Sequence, residues 1–195
     1  MMSEQRGCCP STLHSDRYIR GYRATFTNLQ TRHAPSSTPS LNRPNFHCIY
    51  QDTTDEVARC REERSSYLDL SHLGLQALPA GIFKEVSFIE SLFLYGNRLT
   101  SLSPSLCSLP NLHRLMLQQN WITCCGLPNE IAKLTQLEVL DLRHNRLEGS
   151  LPACIYKLGN LEQLILSYNK LTTLSDDLKN LHVSSYSFHY FSLQI

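Results

Sequence analysis

The residues from Leu137 to Leu147 read LEVLDLRHNRL, with leucine at positions one, four, six and eleven and asparagine at position nine. Four further segments keep this spacing, at residues 65–75, 89–99, 112–122 and 161–171. The ninth positions of the five segments are Leu73, Asn97, Asn120, Asn145 and Asn169. The pattern therefore recurs every 23 to 25 residues. A period of this length predicts a stack of structural units, each burying its apolar face against its neighbours.

Each position of the repeat has a physical reason. Leucines at positions four and six flank one outward residue, which is the period of a strand with one face in the core. The asparagine follows the strand, where its amide can satisfy backbone groups of the turn, so we expect a structural role for it. Segments such as LPNEIAKL (127–134) and LPACIYKL (151–158) space apolar residues as helical or 3-10 turns do. The sequence predicts an α/β leucine-rich-repeat solenoid, with short parallel strands on the concave face and these turns on the convex face.

The chain divides into four predicted segments. Residues 1–53 lack any period and contain a Pro/Ser-rich stretch, so we expect a disordered tail. Residues 54–64 suit a short helix that caps the first repeat, and residues 65–181 form about five repeats. In residues 182–195 the aliphatics expected near positions 184, 187 and 189 are missing. This atypical tail is either an irregular strand on the last repeat or the end of a truncated longer array, and the lack of a polar cap favours truncation.

Composition excludes several classes of function. A net charge of +1 disfavours a nucleic-acid binder, and no apolar run approaches the ~20 residues of a membrane span. The eight cysteines lack zinc-ligand spacing, so we expect no metal, no cofactor and reduced thiols in a cytoplasmic, and also nuclear, protein. Phosphate-binding loops and hydrolase motifs are also absent, so we expect no enzymatic activity.

The concave face carries the candidate binding residues. Positions three, five, seven and eight of each repeat point outward, and they mix aromatic, apolar and charged side chains, as protein-binding surfaces do. The candidates are Phe93, Tyr95, Arg114, Met116, Gln118, Asp141, Arg143, His144 and Tyr168.

A short motif on the convex side has two readings. Lys84 to Phe88 (KEVSF) matches the pattern with which partners of the type 1 serine/threonine phosphatase dock onto that enzyme as an added strand. Val86 also stands close to an expected core position between the first two repeats. We favour burial, because a docking strand must be free to extend.

Several segments resemble the N-terminal repeats of the SHOC/Sur-eight family of Ras-binding scaffolds: CREERSSYLDLS (60–71), LFLYGNRLTSL (92–102) and LEVLDLRHNRL. The similarity covers roughly residues 57–181. The resemblance implies an intracellular scaffold that joins a GTP-loaded Ras-type GTPase to the catalytic subunit of type 1 phosphatase, which then acts on a Raf kinase. It also implies GTPase contacts at Phe93, Tyr95, Arg114, Met116, Asp141 and Arg143. Ser91 and Phe93 depart from the family, which has an acidic residue and a tyrosine there.

Two other interpretations stay open. A truncated repeat fragment would retain only a generic ability to bind proteins. An extracellular recognition module would require a signal peptide and disulfide caps, neither of which the pattern of this sequence favours.

Overall fold

The computed structural model describes residues 46–79, 81–173, 175–181 and 185–187. All of them belong to one compact unit, Pro44–Ile195. The tail expected to be disordered lies outside the described residues as far as residue 45, and so does most of the atypical C-terminal segment.

The N-terminal cap is a longer helix than expected. Helix α1 spans Phe46–Glu63, so it begins before the predicted range of 54–64 and includes residues expected to be disordered. Thr53 is completely buried, and Val57 and Cys60 are buried one and two turns later. These three residues form a buried stripe at helical spacing, and its start was not predicted because threonine is polar by type.

Helix α1 ends in a Schellman motif that leads into the first strand. Arg64 adopts a left-handed conformation, with φ of 51°. The N–H of Ser65 then donates to the carbonyl of Cys60 at 3.1 Å, and that of Arg64 donates to Arg61 at 3.4 Å. The Cys60 thiol also donates to the carbonyl of Tyr67 at 3.4 Å, which ties the helix to the edge of the sheet.

The strands are short and pair in parallel. They are β1 (Tyr67–Asp69), β2 (Ser91–Phe93), β3 (Arg114–Met116), β4 (Val139–Asp141), β5 (Glu148–Ser150), β6 (Gln163–Ile165), β7 (Lys170–Thr173) and β8 (Ser185–Ser187). The main sheet has the order β1-β2-β3-β4-β6-β8, while β5 and β7 form a second, two-stranded sheet. The described residues thus form the predicted leucine-rich-repeat solenoid, in which each coil adds one strand to a continuous parallel sheet.

The register places equivalent residues of successive coils side by side. The leucines at position four pair in the order Leu68, Leu92, Leu115, Leu140 and Leu164. All five are at most 1% exposed, as are the leucines two residues later. Burying two leucines per coil in an uninterrupted row supplies apolar contact that a single coil lacks.

The convex side is built from 3-10 turns. They are Ile82–Lys84, Leu106–Ser108, Cys124–Gly126, Asn129–Lys133, Ile155–Lys157 and Asp176–Asn180. Pro128 and Pro152 accept the first turn hydrogen bonds, from Ile131 and Ile155, both at 3.1 Å. Since a 3-10 turn packs three residues into one tight turn, a few residues are enough to build the convex side of each coil.

A sixth strand continues the array past its expected end at Leu181. Strand β8 pairs in parallel with β6, and Tyr186 takes the register position opposite Leu164. This coil is 22 residues long, measured from Leu164 to Tyr186, so it is shorter than the preceding ones. The aliphatics expected near positions 184, 187 and 189 assume a longer coil. With 22 residues in this coil, the position expected at 187 falls at 186 instead. Strand pairing needs only backbone groups, so the aromatic-rich sequence does not prevent it.

Candidate protein-binding surface

Strand alternation builds a mixed apolar and charged surface on the concave face of the sheet. Position five of successive strands is occupied by Asp69, Phe93, Met116, Asp141 and Ile165, which lie in register. Phe93 and Met116 are adjacent, and both are half-buried. They form the apolar centre of what we call the concave surface, defined by positions three, five, seven and eight of the strands and the turns after them.

Asp141 supports this surface from beneath. Its side chain is completely buried, and one carboxylate oxygen accepts the backbone N–H of Arg143 at 3.1 Å. The other lies 2.8 Å from the Arg143 guanidinium, whose side chain is 30% exposed. Burial raises the pKa of the Asp141 carboxyl, and the Arg143 charge opposes that rise. We expected Asp141 to touch a partner, but only Arg143 reaches the surface.

Arg114 is also held in place. Its Nε donates to the hydroxyl of Ser91 at 2.9 Å, across the β2–β3 pair. Ser91 is only 2% exposed, so this serine acts by orienting the arginine and not by direct contact. Two held arginines thus lie close to Met116 in the repeat pattern: Arg114 two residues earlier on β3, and Arg143 on the next coil.

Two aromatic pairs lie at the N-terminal end of the concave surface. Tyr67 and Phe93 meet edge to face, with ring centroids 6.3 Å apart, and His72 meets Tyr95 in the same way at 4.9 Å. Burial raises the pKa of Tyr95, with Asp69 adding to the rise. Such pairs restrict side-chain motion and so present preformed contact area.

At the other end of the surface, His144 and Tyr168 stack in parallel at 4.1 Å. Both residues are exposed to solvent. Gln118 lies between the two ends. It is half-buried, and its side-chain carbonyl oxygen accepts no hydrogen bond from the described residues.

Position eight of every repeat is left-handed. The φ values are 60° at His72, 68° at Gly96, 58° at Gln119, 53° at His144 and 59° at Tyr168. The chain therefore turns sharply away from the strand at the same point in each coil. Glycine at position 96 also leaves space for its neighbour, because a Cβ there would lie 2.3 Å from Nδ1 of His72.

The repeat asparagines form a ladder inside the turn. Asn120 accepts the N–H of Leu99 at 3.0 Å and donates to the carbonyls of Leu94 at 2.9 Å and Leu117 at 3.1 Å. The same three bonds recur at Asn97, Asn145 and Asn169. Two of the three partners belong to the preceding coil. This explains Leu73 at the same position of the first repeat, which has no preceding coil.

The structure adds one exposed aromatic residue to the surface. Tyr67 is 56% exposed and contacts Phe93, yet it is not among the residues selected from the sequence. Its position three on the first strand was a usable signal, because an edge strand has neighbours on one side only and leaves its outward residues open.

The segment that matches the phosphatase-docking pattern places two of its side chains in or against the core. Val86 is completely buried and Phe88 packs against the core cluster. Residues Lys84 to Phe88 therefore present no free strand to a docking enzyme in this conformation.

The part of the chain that the structure describes contains neither a candidate metal centre nor a membrane-spanning helix. Within it, His, Cys, Asp and Glu side chains form no group of three or more that could hold a metal ion. No helix there has the length and apolar character needed to cross a membrane.

These features together define the leucine-rich-repeat fold. Residues 110–171 and 135–185 match the family model described as leucine rich repeat. A solved structure of a Leptospira interrogans leucine-rich-repeat protein superposes with a TM-score of 0.51 at 29% identity, covering 67% of this chain and 38% of that one. Leucine-rich-repeat solenoids typically use extended concave surfaces to bind other proteins, without catalysis of their own.

Two curated relatives are similar to the array. Podocan-like protein 1 of Homo sapiens is 42% identical over 114 residues, which are 57% of this chain and 22% of that protein. Leucine-rich repeat protein SHOC-2 of Danio rerio is 38% identical over 87 residues, which are 45% of this chain and 15% of that protein. This chain thus spans less than a quarter of the length of either relative.

Proposed function

We propose that this protein is a non-catalytic intracellular scaffold, and that its concave surface captures a GTP-loaded Ras-type GTPase. Its leucine-rich repeats support the general role, since such solenoids bind proteins. The similarity to SHOC-2 of Danio rerio supports the particular partner. The proposed location is the cytoplasm, and also the nucleus.

The observation that carries the proposal is the pairing of Phe93 and Met116 between two fixed arginines. The two apolar side chains are neighbours across β2 and β3. Arg114 is held by Ser91 and Arg143 by Asp141. A small apolar centre with preorganised charges at its edge has the anatomy of a binding hot spot, because ordering the arginines costs little on association.

The charge of this surface is balanced. Arg114 and Arg143 are opposed by Asp69 and Asp141, so the surface does not attract any acidic partner indiscriminately. Selectivity then depends on shape and on pairing each exposed arginine with a partner carboxylate, as the acidic switch segments of a GTPase would provide.

Two further partners follow from the family resemblance alone. They are the catalytic subunit of type 1 phosphatase and its substrate, a Raf kinase. Val86 is completely buried and Phe88 packs against the core, so we do not assign the phosphatase contact to the Lys84–Phe88 motif.

The test is capture of purified Ras-type GTPases by the immobilised full chain. We expect retention of a GTPase loaded with a non-hydrolysable GTP analogue and not of its GDP form. Arg143→Glu and Met116→Asp should each reduce retention by roughly tenfold or more, as loss of a hot-spot contact does. Lys157→Glu reverses a charge on the convex side and serves as the matched control.

Three outcomes would contradict the proposal. They are equal retention of both nucleotide states, no retention of either, and an equal effect of Lys157→Glu. Melting curves of each variant distinguish loss of binding from loss of folding.

A second candidate is a recognition module for a different protein, acting outside the cell. The observation in its favour is that the similarity to Podocan-like protein 1 covers more of the chain, at higher identity, than that to SHOC-2. Nucleotide-independent binding of a secreted protein through the same Phe93 and Met116 side chains would support it over the GTPase.

A further inference from the structure

A stripe of exposed side chains follows the flank of the solenoid, just outside the concave surface. It occupies position ten of the repeats, directly after the asparagine ladder. Its members are Arg98, Trp121, Arg146 and Lys170, and all four are exposed. We call these four residues the flank stripe.

Backbone hydrogen bonds hold the flank stripe in register. The N–H of Arg98 donates to Leu75 at 2.8 Å, that of Trp121 to Leu99 at 2.9 Å, and that of Arg146 to Ile122 at 2.9 Å. Lys170 repeats the contact with Leu147 at 2.8 Å. Each of these acceptors follows an asparagine-bonded turn of the preceding coil, so the stripe is as rigid as the ladder beneath it.

Trp121 lies between two guanidinium groups. Arg98 extends from the preceding coil to 5.9 Å from the indole centroid, and Arg146 extends from the following coil to 4.6 Å. Trp121 itself is 40% exposed, which is unusual for the largest apolar side chain. Cation–π contacts of this kind fix the two guanidinium planes while leaving their N–H edges available.

Those N–H groups have no partner in the part of the chain that the structure describes. Within the described residues, the guanidinium groups of Arg98 and Arg146 form no ion pair and no hydrogen bond. Lys170 differs, because Glu148 stands opposite it in the β5–β7 pair. The part of the stripe with uncompensated charge therefore runs from Arg98 across Trp121 to Arg146.

We propose that the flank stripe binds an extended acidic segment of a partner protein, with carboxylates on Arg98 and Arg146 and an apolar group of the partner on Trp121. Two coils separate the arginines, which corresponds to about 10 Å at the spacing of neighbouring strands. In an extended segment with polyproline II conformation, residues three apart point to the same side and are separated by about 9 Å, which matches this distance. Each guanidinium then meets one carboxylate in a two-bond arrangement.

Charge argues against other occupants. Residues 1–45 of this chain contain six arginines and two acidic residues, so its own N-terminal segment has the wrong sign. A nucleic acid would need a more extended basic surface than a chain of net charge +1 provides. The site is separate from the concave surface, so it does not depend on the proposed GTPase.

The test uses the full chain and two synthetic peptides. One carries glutamate at every third position with proline between, which supplies the apolar group for Trp121 and favours a three-residue period, and the other carries glutamine in place of glutamate. Trp121 is the only tryptophan, so its emission reports on the site directly, and calorimetry gives an independent affinity. We expect saturable binding of the glutamate peptide, weakened by salt, and binding of the glutamine peptide that is weaker by about tenfold or more.

A pair of double variants identifies the site. Arg98→Gln with Arg146→Gln should weaken the glutamate peptide by about tenfold. Lys133→Gln with Lys157→Gln removes the same charge from the convex turns and should leave the affinity unchanged. Circular dichroism checks that both fold.

Four results would overturn the inference. The first is no saturable binding, and the second is equal binding of the two peptides. The third is an equal loss in both double variants. The fourth is tighter binding of an oligothymidylate of the same charge, which would assign the stripe to nucleic acid.

Discussion

Asp141, although completely buried, accepts the backbone N–H of Arg143 and pairs with its guanidinium at 2.8 Å. An aspartate at position five of the repeat therefore determines where the side chain at position seven points. Asp69 makes the same backbone contact with Ser71 at 2.9 Å, in the first coil. Acidic residues at position five of the repeat support the concave surface more than they contact a partner.

Replacing Asp141 with asparagine should change how stability depends on pH. Burial raises the pKa of Asp141 above its ordinary value of 3.8. At a pH between the ordinary pKa and the raised pKa of the folded protein, the unfolded state binds fewer protons than the folded state. The contribution of this carboxyl to stability therefore falls as the pH rises through its folded-state pKa. Asp141→Asn keeps an acceptor without the buried charge. The free energy of unfolding of the variant, measured relative to that of the unsubstituted protein, should therefore be higher at neutral pH than at acid pH.

Urea unfolding at pH 7 and at about pH 4 measures this difference. Asp176→Asn, at an exposed aspartate on the last 3-10 turn, is the control and should show a smaller change. The opposite sign for Asp141→Asn would mean that attraction to Arg143 outweighs the cost of burial.

Removing one amide from the asparagine ladder should be strongly destabilising. Asn120→Ala leaves the N–H of Leu99 and the carbonyls of Leu94 and Leu117 without their side-chain partner. Since buried polar groups without partners are costly, we expect a loss of about 3 kcal/mol in the free energy of unfolding. Asn160→Ala removes a single exposed bond, to Thr135, and should cost less than about 1 kcal/mol. Equal losses in urea titrations would disprove the structural role of the ladder.

Glycine should stabilise the protein at one glutamine and destabilise it at another. Gln119 has a φ of 58°, a conformation that glycine adopts without strain. We expect Gln119→Gly to raise the melting temperature, by a gain of about 0.5 to 1 kcal/mol. Gln163 lies in β6, where glycine loses more entropy on folding, so Gln163→Gly should cost about the same amount. Differential scanning calorimetry compares the two, and a gain from both substitutions would rule out the backbone explanation.

Two cysteines should differ sharply in reactivity. Burial raises the pKa of Cys107 to about 12, so its thiolate is scarce at ordinary pH, and the thiol is also inaccessible. Cys125 is exposed. In the folded protein at about pH 8, iodoacetamide should modify Cys125 and spare Cys107, whereas both should react in urea. Peptide mapping by mass spectrometry follows each site, and rapid labelling of folded Cys107 would show that the convex layer opens.

Residue patterns predicted the strands well and the ends of the array less well. The buried strand positions of Leu92 and Leu115 could be predicted because the leucine spacing recurs without interruption. The start of α1 was missed because Thr53, a polar residue by type, is completely buried. Strand β8 agrees with the less favoured of the two alternatives for residues 182–195, because its coil is shorter and aromatic and a fixed period does not locate it.

The roles of individual surface residues were less predictable. Positions five and seven of the repeat place Asp141 and Arg143 on the same concave side. The repeat pattern does not show that Arg143 covers Asp141. Trp121 stands at position ten, outside the columns expected to bind, so its contact with Arg98 and Arg146 was not anticipated. The Trp121 contacts depend on the distance between neighbouring coils, whereas the Asp141–Arg143 pair lies within one coil and depends on the burial of Asp141.

The sequence by itself determined the repeat length, the buried leucines and the asparagine turns, because each of these is a local requirement that recurs in every coil. Only the tertiary structure decided which outward side chains remain accessible. Accessibility depends on contacts between coils about 23 residues apart or more, as between Ser91 and Arg114, and these contacts exist only once the coils have stacked in register.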